Sequence, residues 1–107
     1  FNNYEIGLNK SRKYLKKLTK ILKKNKIDIN FVLYPHPSQI FYKDKYHRPF
    51  WIKWANEKNI KLIDLYSIYD SKNKRKNILD TFIFGDLHWN KKGTKMIFEA
   101  LIESIEF

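Results

Sequence analysis

The sequence predicts an α/β fold built on a parallel sheet, from three observations. Segments of helical periodicity alternate with short strand-like runs, the order that builds βαβ units. The first strand-like run is almost continuously apolar, as suits a parallel strand covered on both faces. Hydrophobic residues make up 43% of the 107 and aromatics 17%, enough to pack a core despite heavy charge.

The first helix is expected over residues 8–24. Leu8, Leu15, Leu18, Ile21 and Leu22 recur at three- and four-residue spacing, and lysines fill the remaining positions. An amphipathic helix lying on a sheet is expected here; a membrane-surface helix shares the pattern, but the next segment argues for the sheet. That segment, residues 29–34, is an apolar strand closed by Pro35, and Pro37 stiffens the loop behind it. Loops at the carboxyl ends of parallel strands are where ligands bind, so residues 34–39 become a candidate wall of a site. Pro49 suits the first turn of a helix over 50–58 whose apolar side is Phe50, Trp51, Trp54 and Ala55, with Asn59 closing it. A second buried strand is expected over 60–65. Residues 70–80 are polar without a period and read as a surface loop. A last helix is expected over 91–105, with Met96, Ile97, Ala100, Leu101 and Ile105 on one face.

Two parallel strands leave edges and apolar faces exposed, so the sheet is expected to be completed by sequence upstream. The opening at Phe1, within polar sequence, gives the same expectation that the chain is part of something longer.

The net charge of +11 raises a nucleic-acid reading, as a non-catalytic basic module for nucleic acid or an anionic surface. Only Arg12, Arg48 and Arg75 among the 22 basic residues are arginine, whereas phosphate-reading surfaces favour its planar fork. Solvated lysine is therefore preferred, and nucleic acid is not expected as a partner. Without cysteine there is no disulfide framework and no thiolate metal site. No apolar run approaches the ~20 residues of a membrane helix. The compartment is not fixed by any of this.

The stretch that carries chemistry is Phe84-Gly85-Asp86-Leu87-His88-Trp89-Asn90-Lys91-Lys92-Gly93. Asp86 and His88 stand two apart in extended or turn backbone, so their side chains can share a side. A carboxylate there can accept the Nδ1 proton of the imidazole, leaving Nε2 as a base and stabilising the imidazolium that forms. The bland alternative for His88 is a structural histidine at the start of the last helix. The neighbouring Asp86, the Trp89-Asn90 pair and the position before the helix favour catalysis.

Gly-Asp-Leu-His-Trp-Asn, followed by Lys-Lys-Gly and a Leu/Ile-rich helix, resembles the last conserved block of the SGNH (GDSL-type) hydrolases. The preceding order of lysine-rich helix, strand ending in Tyr-Pro-x-Pro, helix and strand is similar to the second half of that family's fold. The resemblance implies a three-layer α/β/α, flavodoxin-like domain of which residues 1–107 are the C-terminal portion. It implies Asp86 and His88 as the acid and histidine of a Ser-His-Asp triad. It further implies a small-molecule or carbohydrate ester substrate, hydrolysis or acyl transfer, and no cofactor or metal. A carbohydrate or cell-envelope O-acetyl ester is the expected substrate class. The block departs from many members in having one residue, Leu87, between acid and histidine. The serine and oxyanion-hole blocks are absent, and none of Ser11, Ser38, Ser67, Ser71 and Ser104 has that context, so the remaining N-terminal half is the expected source. Asn2 and Asn3 cannot be equated with the family's asparagine.

Among the other candidates, Asn90 is expected to cap the last helix rather than contact substrate, Trp89 to pack, with lining of an acyl or sugar pocket as the lesser reading, and Gly93 to permit close helix packing or a turn. His36 follows the first strand and could approach the same site, though a solvent-facing loop histidine is the commoner case, and His47, with no partner in its neighbourhood, is read as a plain surface histidine. A metal site of Asp86, His88 and His36 is chemically conceivable but lacks the usual helix-borne histidine pair. Trp51 and Trp54 read as core.

Overall fold

The computed structural model describes residues 3–105; Phe1 and Asn2, on which two sequence expectations bear, lie outside them. The three-layer α/β/α sheet fold expected from the sequence is not formed. The described residues are 63% helix and 10% strand, with a single two-stranded parallel sheet among them. The elements are α1 (Asn3–Lys24), β1 (Asn30–Leu33), α2 (Pro37–Phe41), α3 (His47–Glu57), β2 (Lys61–Asp64), a 3₁₀ turn (Leu65–Tyr69), α4 (Lys74–Thr81) and α5 (Lys91–Ser104).

The strands are short for local reasons. Pro35, fully buried, follows β1 closely and has no N–H for a ladder. β2 stops where the Asp64 carboxylate accepts the Tyr66 N–H at 3.1 Å and the Ser67 hydroxyl donates to the Asp64 carbonyl at 2.7 Å. Those bonds turn the chain into the 3₁₀ segment, which takes Leu65 out of the expected strand. The apolar runs are real, but among the described residues they pair only with each other.

Residues 70–80, expected as a loop, largely form α4. Its three basic residues, Lys74, Arg75 and Lys76, crowd the helix N-terminus and Asp80 lies near its C-terminus, the reverse of what the dipole favours. Tertiary contacts override that. Ile78 packs on the cluster of Ile40, Tyr69 and Phe82, and the buried Thr81 hydroxyl donates to the Asn77 carbonyl and meets the Tyr69 hydroxyl at 2.9 Å.

The chain divides into two compact units. The first comprises the chain up to Phe31 together with Lys45–Lys61. Its core is aromatic: Phe31 packs against Trp51 and Trp54, which meet edge to face at 5.6 Å. Ala55 is fully buried beside them in α3. α1 buries Leu8 and Thr19 and half-buries Leu15 and Leu22, but Leu18 and Ile21, counted in the expected stripe, are exposed. The second unit comprises Val32–Asp44 and the chain from Leu62 onward. Ile63, Leu65 and Ile97 form one of its buried clusters, with Val32, Ala100 and Leu101 packed on them.

Three helices end on left-handed residues that are not glycine. Lys26 (φ 57°), Lys43 (φ 55°) and Asn59 (φ 54°) follow α1, α2 and α3. The next N–H in each case reaches back to the fifth residue before it, as Ile27 to Leu22 (3.0 Å), Asp44 to Gln39 (2.9 Å) and Ile60 to Ala55 (2.9 Å). Asparagine tolerates that backbone; lysine does so at a cost of about 1 kcal/mol. Lys26→Gly should therefore raise the thermal midpoint, with a net gain of about 0.5 kcal/mol after the greater unfolded-state freedom of glycine. A lower midpoint would show that the Lys26 side chain contributes more than its backbone strain costs.

Candidate active site

Residues 82–89 form a small hairpin between α4 and α5. Phe82 and Trp89 make an antiparallel bridge, and the Ile83 N–H donates to the His88 carbonyl at 2.9 Å. The tip is a tight turn in which Asp86 N–H donates to the Ile83 carbonyl at 2.9 Å. Its third residue is Gly85 at φ 74°, a position that a side chain would strain.

Immediately after this turn, Asp86 Oδ1 accepts from two groups of His88. The backbone N–H lies at 3.1 Å and ring Nδ1 at 2.6 Å. An ionised carboxylate only accepts, so Nδ1 carries the proton and Nε2 holds the ring's free lone pair. The His88 side chain is 82% exposed and that of Asp86 45%, so the pair faces solvent. The ring hydrogen bond of His88, and next its backbone N–H, hold the Asp86 pKa below the ordinary carboxylate range. Nε2 has no hydrogen-bond partner among the described residues.

Asn90 closes the base of the hairpin. Its Oδ1 accepts the Gly93 N–H at 2.9 Å, capping α5, while Nδ2 donates to the carbonyls of Asp80 (2.9 Å) and Phe82 (3.4 Å). Its backbone N–H donates to the Thr81 carbonyl at 2.9 Å. The cap was foreseeable from the Asn before a helical run; the two Nδ2 bonds reach back eight and ten residues and had no sequence signal. Gly93 sits so close to the end of α4 that a Cβ there would collide with the Thr81 carbonyl and crowd Trp89.

The expected wall at residues 34–39 divides. The Tyr34 ring, exposed, packs against Trp89 at 5.5 Å and lies 6.4 Å from the His36 ring. The Tyr34–Trp89 contact places the end of β1 beside the hairpin, a juxtaposition no local pattern announced. Ser38 and Gln39 belong to α2 instead, where Gln39 Oε1 accepts the His36 N–H at 2.8 Å. His47 opens α3 and meets Tyr4 edge to face at 5.5 Å. Among the described residues, no three His, Asp or Glu side chains converge as metal ligands. Ser67 bonds the Asp64 carbonyl, Ser71 accepts from Asn77 and Ser104 bonds the Ala100 carbonyl, so none of these three is engaged with His88.

Two measurements test this geometry. Gly93→Ala should destabilise by about 2 kcal/mol in denaturant unfolding, the usual cost of forcing atoms into a filled space; an unchanged midpoint would contradict the close approach. Because the Asp86 pKa is depressed, its pairing with His88 contributes above the ordinary carboxylate range and is lost as pH falls through the lowered value. The Asp86 carboxyl should titrate by NMR below an unpaired aspartate, and His88→Ala should move it back up.

No protein-family model, no curated protein and no solved structure gives a significant match to this chain.

Proposed function

We propose that Asp86 and His88 are the acid and base of a serine ester hydrolase or acyltransferase, with the serine supplied by another segment. The observation that carries this is the 2.6 Å contact from Nδ1 of an exposed imidazole to a carboxylate, with Nε2 unbonded among the described residues. In such a site a serine hydroxyl attacks the ester carbonyl while Nε2 takes its proton. The imidazolium returns that proton to the departing alcohol, and water or a second alcohol then completes hydrolysis or transfer by the same route. Asp86 fixes the tautomer and steadies the positive ring, without itself becoming protonated. Donors for the oxyanion come from outside this pair. The substrate is an ester of a small or medium acyl group, and a carbohydrate or cell-envelope O-acetyl ester is the class favoured by the Asp-Leu-His-Trp-Asn block.

The test uses the protein carrying both this chain and the nucleophile. His88→Ala should lower aryl acetate hydrolysis by about a thousandfold or more, and Asp86→Asn should do so through kcat by a similar order. Near-wild-type turnover of His88→Ala would remove His88 from the role of base.

A further inference from the structure

We infer that α1 is a docking helix for an anionic lipid surface. It carries seven lysines and Arg12 against one acid, Glu5. The ammonium groups of Lys10, Lys13, Lys16, Lys20 and Lys24 make no ion pair or hydrogen bond with any described residue. The helix therefore presents a concentration of positive charge that the described residues do not neutralise.

Beside that charge runs an apolar line that the first unit leaves uncovered. Tyr14, Leu18 and Ile21 are 57%, 49% and 58% exposed. At spacings of four and three residues they lie along one side of the helix, next to the face that buries Leu8 and Thr19. Lys10, Lys17 and Lys24 recur every seven residues along the outer border of this line, a row about 21 Å long at the α-helical rise. The Lys17 ammonium lies 5.6 Å from the Tyr14 ring centroid, so its stem already runs along the apolar side chains.

An anionic bilayer satisfies both features together. Headgroups attract the lysine row, while the boundary of the acyl chains takes the Tyr14–Leu18–Ile21 line, with lysine stems reaching back to the headgroups. A nucleic acid would answer the charge and leave the apolar line wet. No helix among the described residues is long and apolar enough to cross a membrane, so the contact is with the surface.

The experiment is co-sedimentation of this chain with vesicles of phosphatidylcholine mixed with phosphatidylglycerol, and with vesicles of phosphatidylcholine alone. Partitioning should be at least about tenfold stronger to the mixed vesicles and should weaken with salt. Replacing Lys10, Lys17 and Lys24 together by Gln should lower it about a hundredfold, at roughly fivefold per cation. The double variant Leu18→Ser with Ile21→Ser should lower it about tenfold, with helix content held by circular dichroism. Equal binding to both vesicle types would overturn the inference. So would full binding by the serine variant, or tighter binding to a DNA duplex than to the mixed vesicles.

Discussion

The hairpin that carries Asp86 and His88 depends on one side chain, Asn90. A loop with exposed Ile83, Phe84 and Leu87 gains little from burial and has no reason of its own to hold a shape. Asn90 supplies the constraint by using its whole amide: the oxygen fixes the first turn of α5, and the nitrogen holds the end of α4 and the start of the hairpin. Gly93 makes this possible, since the bonds form only if α5 comes within backbone distance of Thr81. Thr81 is in turn fixed from below by Tyr69 and Asn77. A chain of buried or half-buried polar contacts thus runs from the 3₁₀ segment to the base of the site, while the site itself stays in water.

That exposure shapes the chemistry. In a high-dielectric setting water screens the attraction between Asp86 and an imidazolium and leaves it weak. What the carboxylate supplies is orientation of the ring: one oxygen engages both the ring and the backbone of His88, which restricts the ring to one tautomer and a narrow range of positions. A substrate, or a segment bearing the nucleophile, that covered the pair would exclude water and strengthen the same contact without new residues. The Tyr34 ring on Trp89 offers an aromatic surface beside the hairpin against which such a covering group can pack.

The Asp86–His88 contact was more legible in the sequence than the fold, and the difference is one of range. Asp86 and His88 interact across two residues, Gly85 marks the turn before them and Asn90 marks the helix after them, so each signal is local. Of the fold, α3, α5 and the two strands were visible within a few residues, and α1 was visible apart from its opening at residues 3–7. The sheet was not, because a near-continuous apolar run reports burial and says nothing of how many neighbours a strand has. α4 was hidden for a different reason. Its charges oppose the helix dipole, and its stability comes from Ile78 and Thr81 meeting residues remote in sequence. Its local pattern and its structure disagree, and packing decides.

α1 shows the same principle acting through what packing omits. Periodicity gathers Leu8, Leu15, Leu18, Ile21 and Leu22 into one stripe, but a helix buries only the arc its neighbours reach. Here that arc takes Leu8 and Thr19 with parts of Leu15 and Leu22, and a polar Thr19 is accepted because its hydroxyl bonds the Lys16 carbonyl at 3.1 Å. Leu18 and Ile21 fall just outside it. An amphipathic pattern therefore fixes the direction of a helix's apolar side without fixing what meets it. The lysines bordering the uncovered arc are the second piece of information, because only an environment that is both anionic and apolar stabilises the two together.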